Sequence, residues 1–202
     1  MSGTLDFYFS IGSRYSYLAS TQVEALAAEF GRTVRWRPIH SRALFAAVGS
    51  DPFSGPPASR QYQPEYRSRD AKRWADLYGV PYTDPDWEHT DWFRIALALV
   101  AVSRNRDCAP FAKALYAATF GAGKATANDK ELVAIAEGAG CSGAEVLRSV
   151  DAPTTAVTHE RIVAEAVKAG AFGEPTMVVD GEAFCGNDRL PLVRHRLQQQ
   201  KT

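Results

Sequence analysis

Two serines three residues apart, Ser13 and Ser16, stand where an aromatic run, Asp6-Phe7-Tyr8-Phe9, gives way to the helix-forming stretch Tyr17-Leu18-Ala19. A hydroxyl at such a junction can cap the helix by accepting a backbone N–H, and the free N–H groups and dipole there favour an anion. Ser13 is therefore either a plain N-cap or a donor to a bound anion. It cannot form a mixed disulfide, so any sulfur chemistry must bring its sulfur with a ligand. Lowering a free thiol's pKa by about two units takes about 2.7 kcal/mol, within reach of one charge-assisted hydrogen bond of about 1.5–3 kcal/mol. Near the other end, Asn187 and Asp188 follow Gly186 at the start of a terminal helix, where they can act as caps.

The elements that position these groups follow from periodicity. Residues 4–11 alternate as a strand, and residues 17–30 place Leu18, Val23, Leu26, Ala27 and Phe30 close to helical spacing before Gly31. A second strand over 33–39 makes a strand, helix, strand unit, whose crossover should be right-handed and parallel. The breaker-rich stretch 49–59 ends that unit. From 65 to about 152 the strand signals vanish, and short helices are predicted over 69–78, 91–102, 110–119, 130–139 and 143–150. A helix over 158–169 then leads to a strand begun at Pro175, a hairpin at Asp180-Gly181, a strand over 182–185 and a last helix from about 187 to 199. The expected organisation is α/β: one domain of residues 1–50 and 156–202, interrupted by an all-helical insertion of residues 51–155.

The 202 residues suffice for a sizeable core, and 23 basic residues balance 23 acidic ones. Zero net charge gives no global electrostatic case for nucleic acid or a membrane surface, so a small ligand is expected. The first residues carry no basic region ahead of an apolar run, and no stretch approaches a spanning helix, so a soluble cytoplasmic protein is expected. Cys108, Cys141 and Cys185 lack Cys-x-x-Cys or metal spacing and read as buried, inert thiols of a reducing compartment. Gly121-Ala122-Gly123-Lys124-Ala125-Thr126 fails as a phosphate loop, because Ala118 and Ala125 occupy positions that need glycine and a hydroxyl. His159-Glu160 fails as a zinc helix, because Val163 stands where the second histidine belongs. No metal is expected, and His40, His89 and His195 stand isolated in the sequence.

Asp-Phe-Tyr-Phe, then Ser-x-x-Ser-Tyr-Leu-Ala, with Phe-Gly-x-Pro-Thr and Gly-Asn-Asp-Arg near the end, resembles the 2-hydroxychromene-2-carboxylate isomerases. These sit with the kappa-class glutathione transferases in the DsbA-like thioredoxin superfamily. Residues 70–81, Asp-Ala-Lys-Arg-Trp-Ala-Asp-Leu-Tyr-Gly-Val-Pro, look like that family's first insertion helix. The resemblance implies a thioredoxin-like fold, a homodimer, and glutathione as cosubstrate. Ser13 would face the sulfur, and a cis-proline at Pro175 would bare the backbone of Glu174 for pairing with the tripeptide. Asn187 and Asp188 would hold its γ-glutamyl end, Asp188 accepting from the ammonium. The implied reaction is cis–trans isomerisation between 2-hydroxychromene-2-carboxylate and trans-o-hydroxybenzylidenepyruvate, by thiolate addition, bond rotation and elimination. Its flat aromatic acid suits the aromatic and basic residues of the insertion, Tyr66, Arg67, Arg73, Trp74, Trp87 and Trp92.

Three positions depart from the family: Ser10 replaces a common acid, Arg14 the usual proline, and Pro57 an asparagine that reaches glutathione. Two other readings use the same residues, a kappa-like transferase acting on another electrophile and a thioredoxin-like binding protein without chemistry. A DsbA-type oxidoreductase is rejected, because Ser13 and Ser16 have no second sulfur within reach.

Overall fold

A computed structural model describes residues 3–56, 59–124 and 128–199. β1 (Thr4–Phe9) buries Leu5, Phe7 and Phe9 on one face of the sheet, and Tyr8 joins a second apolar cluster. Phe7 and Phe9 stack at 5.5 Å, and Trp36 meets both edge-on at 5.1 Å. Trp36 comes from β2 (Thr33–Pro38), parallel to β1 with Phe7 opposite it. β3 (Thr176–Val179) pairs antiparallel on the other side of β1, and β4 (Glu182–Cys185) completes the order β2-β1-β3-β4.

Between β1 and β2 the single expected helix is two, α1 (Arg14–Ser20) and α2 (Val23–Glu29). The hydroxyls of Ser20 and Thr21 donate to the carbonyls of Tyr17 and Leu18 at 2.6 and 2.7 Å, competing with the helix ladder where it breaks. The sequence reading also lacks α3 (Ser41–Val48), on which only Leu44 and Phe45 are buried, too few to set a period. The insertion follows as α4 (Pro64–Tyr78), α5 (Trp92–Ser103), α6 (Ala109–Tyr116), a π-helical turn (Ala117–Gly121), α7 (Asp129–Gly138) and α8 (Gly143–Val150). Next come α9 (Pro153–Lys168), a 3₁₀ turn (Asn187–Arg189) and α10 (Leu190–Gln198). Both α4 and α9 begin earlier than expected, each on a proline in its first turn.

α5 is apolar on nearly every side because it lies between both clusters: Leu99 belongs to the cluster of Phe7 and Phe9, and Val100 to that of Tyr8 and Ile162. The first cluster continues into Ala71, Phe111, Leu115 and Leu132, so the insertion helices share one apolar core with the sheet. His40 is not isolated: its backbone N–H donates to His159 Nε2 at 3.1 Å. Cys108 and Cys141 are buried, whereas Cys185 is only half-buried. Among the described residues no helix is long and apolar enough to cross a membrane.

Candidate active site

Ser13 ends the turn after β1 in extended geometry and caps α1, its Oγ accepting from Ser16 N at 3.2 Å. The same hydroxyl donates to the carbonyl of Glu174 at 3.3 Å, and the Glu174–Pro175 peptide is cis. Its single proton can reach a bound anion by rotation about the Cβ–Oγ bond. Ser16 is not equivalent. It is fully buried, and its Oγ faces the backbone N–H of Ser10 at 3.5 Å. α1 spans only 7 residues, so the hydroxyl, rather than the dipole, must supply most of any thiolate stabilisation at Ser13.

The side chain of Glu174 is a feature the sequence reading does not reach. Ser41 donates to its Oε1 at 2.5 Å, and Ser41 Oγ lies 3.1 Å from Ser10 Oγ, so a hydroxyl pair replaces the acid expected at position 10. Oε2 is buried without a hydrogen-bond partner among the described residues. Burial pushes this carboxyl up to about 7, against the opposing pull of Ser41 and Arg67. Below that pH it is neutral, and a negative charge bound nearby meets no carboxylate there.

Beside Ser13, the Arg14 side chain is buried and lies over the ring of Trp87, 5.2 Å from its centroid. Trp87 also contacts Trp92 at 5.4 Å and Phe120 at 5.7 Å, and Trp92 lies against Gly12. The π-helical turn fixes this wall: the Phe120 carbonyl accepts from Thr83 N at 2.7 Å, anchoring the loop that carries Asp84 and Trp87. Arg67, on α4, covers Phe53 at 4.4 Å and Tyr15 at 5.7 Å, and the Tyr15 hydroxyl donates to Asp70 at 2.8 Å.

The 3₁₀ turn packs against α1 on the chain leaving the cis-proline, where Gly186 N donates to the Pro175 carbonyl at 2.8 Å. Asn187 is buried with its Oδ1 unpartnered, and Asp188 is exposed beside Arg189 at 3.0 Å. The Asp188 carboxylate folds over Gly186, where a Cβ would stand 2.4 Å from Oδ1 at a φ of 117°, so only glycine fits.

Of the residues picked out in the sequence, Ser13 meets Glu174 ahead of the cis Pro175, Asn187 and Asp188 lie on the 3₁₀ turn packed against α1, and Trp87 and Trp92 stand against Arg14 and Gly12. Tyr66 and Arg73 lie exposed on α4, and Trp74 packs on Tyr78 at 5.5 Å and on the core; these three do not join the Trp87 wall. Pro57 lies outside the described residues. A cleft of about 670 Å³ between α1, α2 and α6, lined by Tyr17, Glu24 and Lys113 among others, includes none of the residues around the Ser13 hydroxyl.

A four-stranded sheet with a capped helix facing a cis-proline, and serines where a redox protein needs sulfur, defines a thioredoxin-like protein. The family described as the DSBA-like thioredoxin domain matches residues 4–198. The 2-hydroxychromene-2-carboxylate isomerase of Sphingobium xenophagum is 32% identical over 201 residues, 98% of this chain and 99% of that protein. A solved structure of a 2-hydroxychromene-2-carboxylate isomerase superposes with a TM-score of 0.83 at 26% identity, covering 98% of this chain and 95% of the other. Glutathione S-transferase kappa 1 of Caenorhabditis elegans is 25% identical over 210 residues, 96% of this chain and 91% of that protein. The chain thus belongs to the DsbA-like thioredoxin family and, within it, to the isomerases named for 2-hydroxychromene-2-carboxylate.

Proposed function

We propose that the protein is a glutathione-dependent cis–trans isomerase of aromatic catabolism, interconverting 2-hydroxychromene-2-carboxylate and trans-o-hydroxybenzylidenepyruvate as a cytoplasmic homodimer. The observation that carries this reading is the Ser13 hydroxyl, held 3.3 Å from the carbonyl of Glu174 at the cis-proline, in a site with no cysteine at position 13 or 16. The names of the relatives support the reaction, and the kappa-class transferase supports the thiol.

The residues present fit glutathione. The buried, unpartnered Oδ1 of Asn187 can accept an N–H of a peptide, and the exposed Asp188 carboxylate can take an ammonium. Bound glutathione supplies a thiol whose reversible addition to the conjugated double bond permits rotation and is undone by elimination. Ser13 would turn its proton from the Glu174 carbonyl to the sulfur and hold it as thiolate. Glu174, neutral below about 7, would leave that charge unopposed. Trp87 and Trp92 would stack on the aromatic ring and keep water from it.

Melting temperature measured against glutathione tests the reading, with conversion of the substrate followed by its absorbance. Glutathione at 100 times its dissociation constant should stabilise the fold by about 2.7 kcal/mol. A flat titration, or no glutathione-dependent conversion, would overturn it.

A further inference from the structure

Arg14 is the least exposed of the ion-paired cations among the described residues. Its side chain is only 9% exposed, yet its one carboxylate contact among the described residues is Asp84, at 3.4 Å through Nη2. Asp84 is already engaged by the hydroxyls of Ser68 and Tyr82, the latter at 2.6 Å. Nη1 is buried with no hydrogen-bond partner among the described residues. Leaving a charged donor buried and unpaired is expensive, about 1–3 kcal/mol or more, so such a group calls for an acceptor. Arg67 is half-buried, and among the described residues no carboxylate forms an ion pair with it; burial and then Arg14 pull its pKa down, against Tyr15 and Glu174. The nearby carboxyls are otherwise occupied, Asp70 by the Tyr15 hydroxyl and Glu174 by Ser41.

Both guanidiniums also lie over aromatic faces, Arg14 on Trp87 and Arg67 on Phe53 and Tyr15. A planar ring bearing a carboxylate matches that arrangement, stacking on the indoles while its two oxygens take the N–H forks. We propose that Arg14 and Arg67 form the seat for the carboxylate of the aromatic acid, beside Ser13 and against the Trp87–Trp92 wall. The proposal deepens the isomerase reading and rests on it for the identity of the acid. Glutathione also carries carboxylates. The acid is favoured because the groups suited to the tripeptide, Asn187 and Asp188, lie on the 3₁₀ turn, whereas Arg14 is stacked on the indole wall.

The test is binding of trans-2-hydroxycinnamate and of its methyl ester to the protein without glutathione, followed by tryptophan fluorescence, since Arg14 covers Trp87. The acid should bind wild type at least about tenfold tighter than the ester, and Arg14→Met should abolish that preference while Arg67→Met reduces it. Glutathione affinity should fall less in Arg14→Met than affinity for the acid does, because the guanidinium acts on the tripeptide only through its sulfur. Equal binding of acid and ester by wild type, or a preference that survives Arg14→Met, overturns the proposal; the first comparison needs no variant to fold. If Arg14→Met weakens glutathione and leaves the acid untouched, the seat belongs to the tripeptide's carboxylate and the assignment is wrong. An Arg14-dependent preference in a protein that ignores glutathione would sink the glutathione reading alone.

Discussion

Two clusters of buried polar groups flank the sheet, and they are finished differently. Between α3, α5 and α9, His40 donates its backbone N–H to His159 Nε2, and the Phe93 ring meets the two imidazoles at 5.2 and 5.6 Å. Burial keeps both rings neutral, lowering His40 to about 4. None of their side-chain atoms is buried without a partner. Around Ser13 the opposite holds. Five buried side-chain atoms lack hydrogen-bond partners among the described residues, and two of them, Arg37 Nε and Arg196 Nε, belong to guanidiniums already ion-paired with Glu165 and Glu182. The other three belong to the candidate site: Arg14 Nη1 on the first turn of α1, Glu174 Oε2 ahead of the cis-proline, and Asn187 Oδ1 on the 3₁₀ turn packed against α1. Polar groups buried for stability are closed on one another; those left open by the fold mark where a ligand completes the bonding.

The largest effect expected from disturbing this contrast is at Glu174. Its folded pKa of about 7 lies above the ordinary 4.5, so the folded state holds the extra proton and stability falls as pH rises from 4.5 to 7, staying low beyond. The loss amounts to about 3 kcal/mol. Glu174→Gln should remove that slope in melting temperature against pH and melt higher than wild type at pH 8. An unchanged slope would mean that the carboxyl is solvated.

At the closed cluster the sign reverses. A histidine with a lowered folded pKa contributes stability above its unfolded value near 6.5, which is lost as pH falls towards 4. His159→Ala should cost about 1–3 kcal/mol at neutral pH, because the His40 N–H loses its acceptor, with no change in glutathione affinity. Denaturant unfolding and calorimetry read the two; a fall in affinity would erase the distinction between the clusters. Smallest is Asp188→Ala, which should weaken glutathione about tenfold for one charge-assisted contact of about 1.5 kcal/mol without loss of fold. Unchanged affinity would leave Asp188 only its ion pair with Arg189.

Much of this frame is legible in the sequence because the signals are local. β1 follows from alternation, β4 from the Asp180-Gly181 turn, whose φ values of 49° and 85° suit a tight hairpin, and α8 is predicted over the residues it occupies. The break between α1 and α2 is hidden because serine and threonine side chains at positions 20 and 21 decide it, not apolar period. Ser13, Pro175 and Asn187 are visible through motif order. The Glu174 carboxyl, joined to Ser41 across 133 residues, and Arg14, stacked on Trp87, are not, since only the packing of distant segments makes a buried charge.

The central claim is that Ser13 holds a thiolate and is more than a cap. Ultraviolet thiolate absorbance of the glutathione complex against pH measures it directly, in wild type and Ser13→Ala, and again in an Arg14→Pro background because a nearby guanidinium also favours the thiolate. Loss of a contact of about 1.5–3 kcal/mol should raise the bound thiol's pKa by about one to two units and slow turnover at neutral pH by about 10–100-fold. Coincident titrations of wild type and Ser13→Ala, in both backgrounds, would contradict the account and leave Ser13 an N-cap.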